Sequence, residues 1–197
     1  MVQMQGKLIA VEGIDGSGKE TQIALLRKAL EGRGKSVAVL KYPTRHYQML
    51  NDFLEKKAAI EPKALFLLFL ADIAEDQKGV KKALSGNDVV ILDRYVFSTI
   101  SYEVNSIDYP RGKKIVESVG YIQPDKVVLL DIDGKTSQER KKKQKQLDRY
   151  EENVAYLDRV RSNFLKLFEE RFLTPNWHKI DARAGISDVH AEIMKLF

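Results

Sequence analysis

Gly13-Ile14-Asp15-Gly16-Ser17-Gly18-Lys19 places three glycines and a lysine in a G-x-x-x-x-G-K pattern, between a short apolar run and an amphipathic stretch. Glycine at 13, 16 and 18 permits the backbone angles that turn successive N–H groups inward, so the loop can cradle a phosphate. The positive end of the helix that follows adds to that field. Lys19 then reaches the β- and γ-phosphates of a nucleoside triphosphate, with Asp15 and Ser17 inside the same cradle. The position after the lysine ordinarily holds a hydroxyl for Mg²⁺, but here it is Glu20, followed by Thr21. Two readings of the metal stand. In one, Glu20 is itself a hard oxygen ligand, which is unfavourable beside triphosphate oxygens unless the metal lies between them. In the other, Glu20 points to solvent and Mg²⁺ is held by Thr21, water and the nucleotide.

A phosphate loop is held in place by the strand before it and the helix after it, and the chain supplies both. Short β-branched runs alternate with longer helical patterns, the signature of βαβ units and a parallel sheet covered on both faces. The expected strands are Lys7–Glu12, Val37–Tyr42, Val89–Asp93, Lys126–Asp131 and His178–Asp181, each apolar enough for burial on two faces. Helices are expected near Lys19–Arg33, Tyr47–Lys57, Pro62–Leu84, Phe97–Asn105, Lys113–Gly120, Thr136–Gln146, Tyr150–Arg171 and Ser187–Phe197. Neither an internal repeat nor a Pro/Gly/Ser-rich linker divides the chain, so 1–197 reads as one α/β domain with three layers, helices against sheet against helices.

Composition narrows the function classes. Zero cysteines exclude a disulfide framework, a Cys-based zinc site and a thiol nucleophile, and suit a reducing, cytoplasmic location. The longest apolar run, Ala64 to Ala71, is far short of the ~20 residues of a membrane span, and Met1 to Lys7 lacks the form of a signal peptide. A soluble protein without a membrane partner is expected. The net charge of +5 is nearly all local: Gln138 to Arg149 holds six basic and two acidic residues. Without interleaved aromatics to stack bases, that run argues against nucleic acid. His46, His178 and His190 are scattered and form no metal-binding spacing.

KLIAVEGIDGSGKETQ, Tyr42-Pro43, LLFLAD at Leu67–Asp72, LDRYVFST at Leu92–Thr99, PDKVVLLD at Pro124–Asp131 and DRYEENVAYLDRVRSNFLKL at Asp148–Leu167 follow one another in an order that resembles the thymidylate kinases over nearly the whole chain. The resemblance implies a phosphate-loop (P-loop) nucleoside monophosphate kinase with strand order 2-3-1-4-5, moving the γ-phosphoryl group of ATP onto dTMP with Mg²⁺. It also implies a homodimer packed through helices. Arg94, at the carboxyl edge of the third strand where open α/β sheets place ligands, resembles the arginine that grips the acceptor phosphate. Asp93 resembles the carboxylate that orients metal-bound water, and Asp15 the aspartate at the acceptor sugar's 3′-hydroxyl. Arg45 would be a second ligand of the acceptor phosphate. Phe69, Tyr42, Tyr102 and Tyr150 would enclose the base and sugar, with Phe69 and Ile73 on one helix face. Asp181, with Ala182 and Arg183, resembles the segment that packs against adenine. The run from about residue 136 to 149 would be a lid closing over ATP. Arg140 or Arg149 would be the catalytic lid arginine, with Lys142 or Lys143 as contributors.

Two positions depart from the family's pattern. Ile73 stands where an arginine normally hydrogen-bonds a thymine carbonyl, and Glu103 where many members carry glutamine. Losing a charged donor weakens base discrimination by about 1.5–3 kcal/mol unless another replaces it. The acceptor is therefore open between dTMP read with relaxed selectivity, dUMP and another nucleoside monophosphate. A kinase of the adenylate kinase type and a catalytically weakened nucleotide-binding protein are the alternatives.

Overall fold

The computed structural model describes residues 6–102, 107–142 and 153–197. Runs of β-branched and other apolar residues form β1 (Lys7–Glu12), β2 (Val37–Lys41), β3 (Val89–Asp93), β4 (Lys126–Asp131) and β5 (Trp177–Asp181). All neighbours are parallel and the order is β2-β3-β1-β4-β5, as expected. Parallel neighbours need crossovers, and these are α1 (Lys19–Gly32), α2 (Gln48–Leu54), α3 (Pro62–Glu75), α4 (Gln77–Gly86), α5 (Val96–Tyr102), α6 (Tyr109–Val119), α7 (Gly134–Lys142) and α8 (Val154–Glu169), with α9 (Ile186–Met194) following β5. Helices cover both faces of the sheet, α1 packing with α9 and α5 with α3, α6 and α8. Among the described residues no helix is long and apolar enough to cross a membrane.

The core lies where β1, β3 and β4 meet this helical cover, and apart from Lys7 the residues of β1 and β3 are buried throughout. Two expectations need correction. Burial on both faces fails for the edge strands: only Val37 of β2, and Trp177 and Ile180 of β5, are buried. The helix expected over Pro62–Leu84 is two. It breaks at Asp76, whose carboxylate accepts the Tyr42 hydroxyl at 2.8 Å and packs against Gly79, where a Cβ would lie 2.3 Å from Asp76 Oδ1. A tie to β2's end and a glycine that makes room for it outweigh the continuous apolar pattern. The α6 helix starts earlier than expected because Asp108 accepts the Arg111 N–H and caps it, with Pro110 in the first turn.

Candidate active site

β1 lies between β3 and β4, so the crevice beyond its carboxyl end is where an open α/β sheet binds ligands. The loop leaving β1 there is built on glycines with positive φ, 146° at Gly13 and 76° at Gly16. At both, a side chain would also meet backbone: a Cβ would stand 2.5 Å from the Leu130 carbonyl at Gly13 and 3.0 Å from the Ser137 carbonyl at Gly16. The loop curls around Lys19, whose ammonium donates to the carbonyls of Gly13 at 2.9 Å and Ile14 at 3.1 Å. Burial, with the nearby Arg94 charge, pushes Lys19 down from 10.5 to about 7. Ser17 Oγ is buried in the same loop without a hydrogen-bond partner among the described residues, where buried hydroxyls are normally paired.

Beside the loop stands a chain of ionised and polar groups. Arg94 Nη2 meets Asp15 Oδ1 at 2.5 Å and Arg94 Nη1 donates to Ser98 Oγ at 3.2 Å. The Ser98 hydroxyl in turn donates to Glu12 Oε2 at 2.6 Å, while Glu12 Oε1 accepts the Tyr95 N–H at 2.7 Å. The Tyr102 hydroxyl accepts the Asp15 N–H and donates to Asp15 Oδ2, and its ring lies 5.1 Å from the Arg94 guanidinium. Burial works to raise Asp15, but Arg94, Lys19 and Lys141 outweigh it and hold the carboxyl well below its usual range. Glu12, fully buried at the end of β1, is pushed up to about 7 by burial, against the pull of Ser98, Arg94 and Lys19. Arg94 itself has φ 69°, and its N–H donates to the Val11 carbonyl.

These groups open onto a cavity of about 400 Å³. Asp15, Arg94 and Tyr102 make its charged side, and Phe53, Leu65, Phe69 and Ile73 of α2 and α3 its apolar wall, with Tyr42 and Tyr156 also lining it. Of the residues singled out in the sequence, Asp15, Tyr42, Phe69, Ile73, Arg94 and Tyr102 thus meet at one cavity. Arg45 is exposed in the loop after β2 and is not part of that lining. Glu20 and Thr21 are exposed on α1, and Asp181 is exposed and paired with Arg183. Arg140, on α7, donates to the carbonyls of Gly16 at 3.3 Å and Ala182 at 2.8 Å, bridging the phosphate loop and the turn after β5. Lys142 is exposed at the end of α7. Glu103, Lys143, Arg149 and Tyr150 lie outside the described residues.

Sequence reasoning passed over Glu12, Ser98, Asp72, Thr99 and Tyr156. Asp72, buried on the otherwise apolar α3, accepts from the N–H and the hydroxyl of Thr44 at 2.7 and 2.5 Å and so ties the loop after β2 to the cavity. A carboxylate closing the apolar run LFLLFLAD was the available signal. For Mg²⁺, no group of three acidic or histidine side chains stands together among the described residues. None is required, because Mg²⁺ on a nucleotide takes one or two carboxylates, phosphate oxygens and water. Asp93, buried at the carboxyl end of β3 and close enough to raise Lys19 electrostatically, and the unpaired Ser17 hydroxyl fit that demand.

A 2-3-1-4-5 parallel sheet whose first strand feeds a glycine loop and lysine, with an acceptor-sized cavity beside it, defines the P-loop kinase fold. A family profile described as thymidylate kinase matches residues 11–193. The chain is 35% identical to a probable thymidylate kinase of Pyrococcus horikoshii, over 98% of this chain and 96% of the relative. It is 32% identical to the thymidylate kinase of Homo sapiens, over 100% and 92%. Among solved structures, the thymidylate kinase of Candida albicans superposes with a TM-score of 0.79 at 26% identity, covering 98% of this chain and 91% of that one. That of Ehrlichia chaffeensis gives 0.75 at 25% identity, covering 97% and 98%. The chain belongs to the thymidylate kinase family.

Proposed function

We propose that the protein transfers the γ-phosphoryl group of ATP to dTMP, giving dTDP and ADP. The observation that carries this is the double membership of Asp15: it sits inside the phosphate loop, and it lines the acceptor cavity paired to Arg94. Donor and acceptor sites therefore adjoin at one carboxylate, as direct transfer between two bound nucleotides requires. An acceptor phosphate oxygen attacks the γ-phosphorus while the bond to the β–γ bridging oxygen breaks in line. Catalysis then consists of positioning and of charge around the equatorial oxygens.

Lys19 gives up its two loop carbonyls to a triphosphate, Arg94 grips the acceptor phosphate, and Asp15 keeps Arg94 aimed while meeting the acceptor sugar. Phe69, Tyr42 and Tyr102 enclose the base and sugar. Mg²⁺, when bound, would neutralise charge on the phosphates, and Asp93 and Ser17 are the residues that would hold it. Arg140, on the segment read as a lid around 136–149, is seated against the phosphate loop, which supports it as the arginine that meets the triphosphate. The two halves of the cavity and the intact charged cluster favour a kinase over a catalytically weakened binder. In an assay coupled to ADP, product is expected only when dTMP accompanies Mg²⁺-ATP. ADP formed at the same rate without an acceptor, or a clear preference for AMP or CMP, overturns the proposal.

A further inference from the structure

β1 closes on a carboxyl that the transfer described above does not use. Glu12 is 0% exposed, so it acts on a ligand only through the groups that it touches. Its two oxygens are divided between two residues just after β3. Oε1 accepts the Tyr95 N–H at 2.7 Å, and Oε2 accepts the Ser98 hydroxyl at 2.6 Å. Burial opposes the ionised form and pushes the carboxyl up to about 7, with Ser98, Arg94 and Lys19 pulling the other way. A carboxyl so placed depends on its hydrogen bonds.

Both bonds lead to Arg94. The Arg94 N–H donates to the Val11 carbonyl and the next N–H, that of Tyr95, to Glu12, so two successive amides fasten this turn to the last two residues of β1. That fixes where the arginine side chain leaves the backbone. Where it ends is fixed by Ser98, whose Oγ accepts from Arg94 Nη1 at 3.2 Å. A hydroxyl carries one proton and two lone pairs. Because Glu12 takes the proton, the Ser98 oxygen turns a lone pair to the guanidinium. The other arm of the guanidinium, Nη2, rests on Asp15 Oδ1 at 2.5 Å. Asp15 lines the cavity and meets the acceptor sugar in the kinase read above, so that arm is shared with the ligand. The Glu12 arm is not shared, since a fully buried carboxyl is out of a ligand's reach.

We propose that Glu12 and Ser98 are positioning residues for the acceptor phosphate: Glu12 holds the Ser98 hydroxyl, and the Ser98 oxygen keeps the Arg94 guanidinium aimed while Asp15 is engaged with the sugar. The proposal rests on Arg94 gripping the acceptor phosphate. A misplacement of about 1 Å at a group that positions the reacting atoms costs on the order of a hundredfold in rate. A carboxyl that never touches the acceptor can in this way set how fast it reacts.

The test compares dTMP with thymidine, the same nucleoside without the phosphate. Titration calorimetry on the whole protein measures both ligands for wild type, Glu12→Gln and Ser98→Ala, with kcat/KM for dTMP alongside. An amide accepts from only one of Tyr95 and Ser98, so Glu12→Gln breaks one bond whichever way it turns. Each substitution is expected to weaken dTMP by about three- to tenfold and to leave thymidine bound as by wild type. The fall in kcat/KM should be about ten- to a hundredfold. In an Arg94→Met protein, adding Ser98→Ala should cost nothing more in kcat/KM, because effects that pass through one group do not add. A change that merely loosens the fold would weaken both ligands together and would persist without Arg94. Equal weakening of dTMP and thymidine therefore overturns the proposal, as does a Ser98→Ala loss that survives in Arg94→Met. So does a Ser98→Ala protein that binds and turns over dTMP as wild type does. If Glu12→Gln fails to fold, Ser98→Ala decides; if thymidine binds too weakly to measure, the comparison in Arg94→Met decides. Each of these failures leaves the kinase standing, whereas a wild type that forms no dTDP from dTMP removes both.

Discussion

At the scale of single residues, Lys19 illustrates how a site without its ligand keeps a charge poised. Its ammonium is buried against two carbonyls, with Arg94 near, and its pKa falls to about 7 from an ordinary 10.5. At pH 8 the free protein therefore holds much of Lys19 neutral. A triphosphate brings negative charge to the same spot and favours the protonated form. Binding of ATP at pH 8 is expected to take up a proton, and the uptake should vanish near pH 5.5, where Lys19 is already charged. Calorimetric titrations in buffers of different ionisation enthalpy measure this directly; uptake at pH 8 that survives in Lys19→Met would assign it elsewhere. The lysine itself was legible from the loop pattern, whereas Asp15 and Arg94 were picked out through the family resemblance. Glu12 was not. It closes the run LIAVE and looks like the exposed end of a strand, yet it is buried because Tyr95 and Ser98, remote in sequence, bring it two hydrogen bonds. No local pattern announces a carboxylate whose partners arrive from another βα unit.

At the scale of elements, the phosphate loop and α7 are one unit. The Ser137 hydroxyl donates to the Asp15 carbonyl at 2.5 Å, Arg140 donates to that of Gly16, and Gly16 lies close enough to Ser137 that a methyl group would meet its carbonyl. Gly16→Ala is expected to push α7 away and to lower kcat/KM for ATP by at least about tenfold. The accompanying loss of stability should be about 1–2 kcal/mol, from the left-handed backbone at φ 76°. Steady-state kinetics set beside urea denaturation would show this, and unchanged ATP use would detach α7 from the donor site. The ends of β1, β3 and β4 were readable because buried parallel strands are continuous apolar runs, whereas the strand order came from the family resemblance and not from those runs. The break between α3 and α4 was not, since it depends on Tyr42 reaching Asp76 across the fold. Arg161 gripping Asp131 through two hydrogen bonds, at 2.6 and 3.0 Å, and so fastening α8 to β4, is a tertiary pairing of the same kind.

At the scale of the whole molecule, the cavity is lined by α2, α3 and α5 together with Asp15 of the phosphate loop, so an acceptor bound there contacts all four at once. Anything that binds the folded state alone stabilises it by mass action, by about 2.7 kcal/mol at a hundred times its dissociation constant. Thermal unfolding followed with saturating dTMP is expected to shift upward by several degrees, and inorganic phosphate at the same concentration should not reproduce the shift. Equal shifts from the two would place the binding energy in the phosphate contacts alone and leave the apolar wall without a role. Arg94 carries one further implication, for how the fold and its chemistry compete. Its backbone sits at φ 69°, a conformation glycine adopts freely and an arginine only at a cost of about 1–2 kcal/mol. The turn after β3 would thus relax if the arginine were exchanged for the residue its geometry favours. The guanidinium there also offsets the Asp15 carboxyl and the buried Glu12 carboxyl, so the strain of this turn is set against the ion pair that it holds in place.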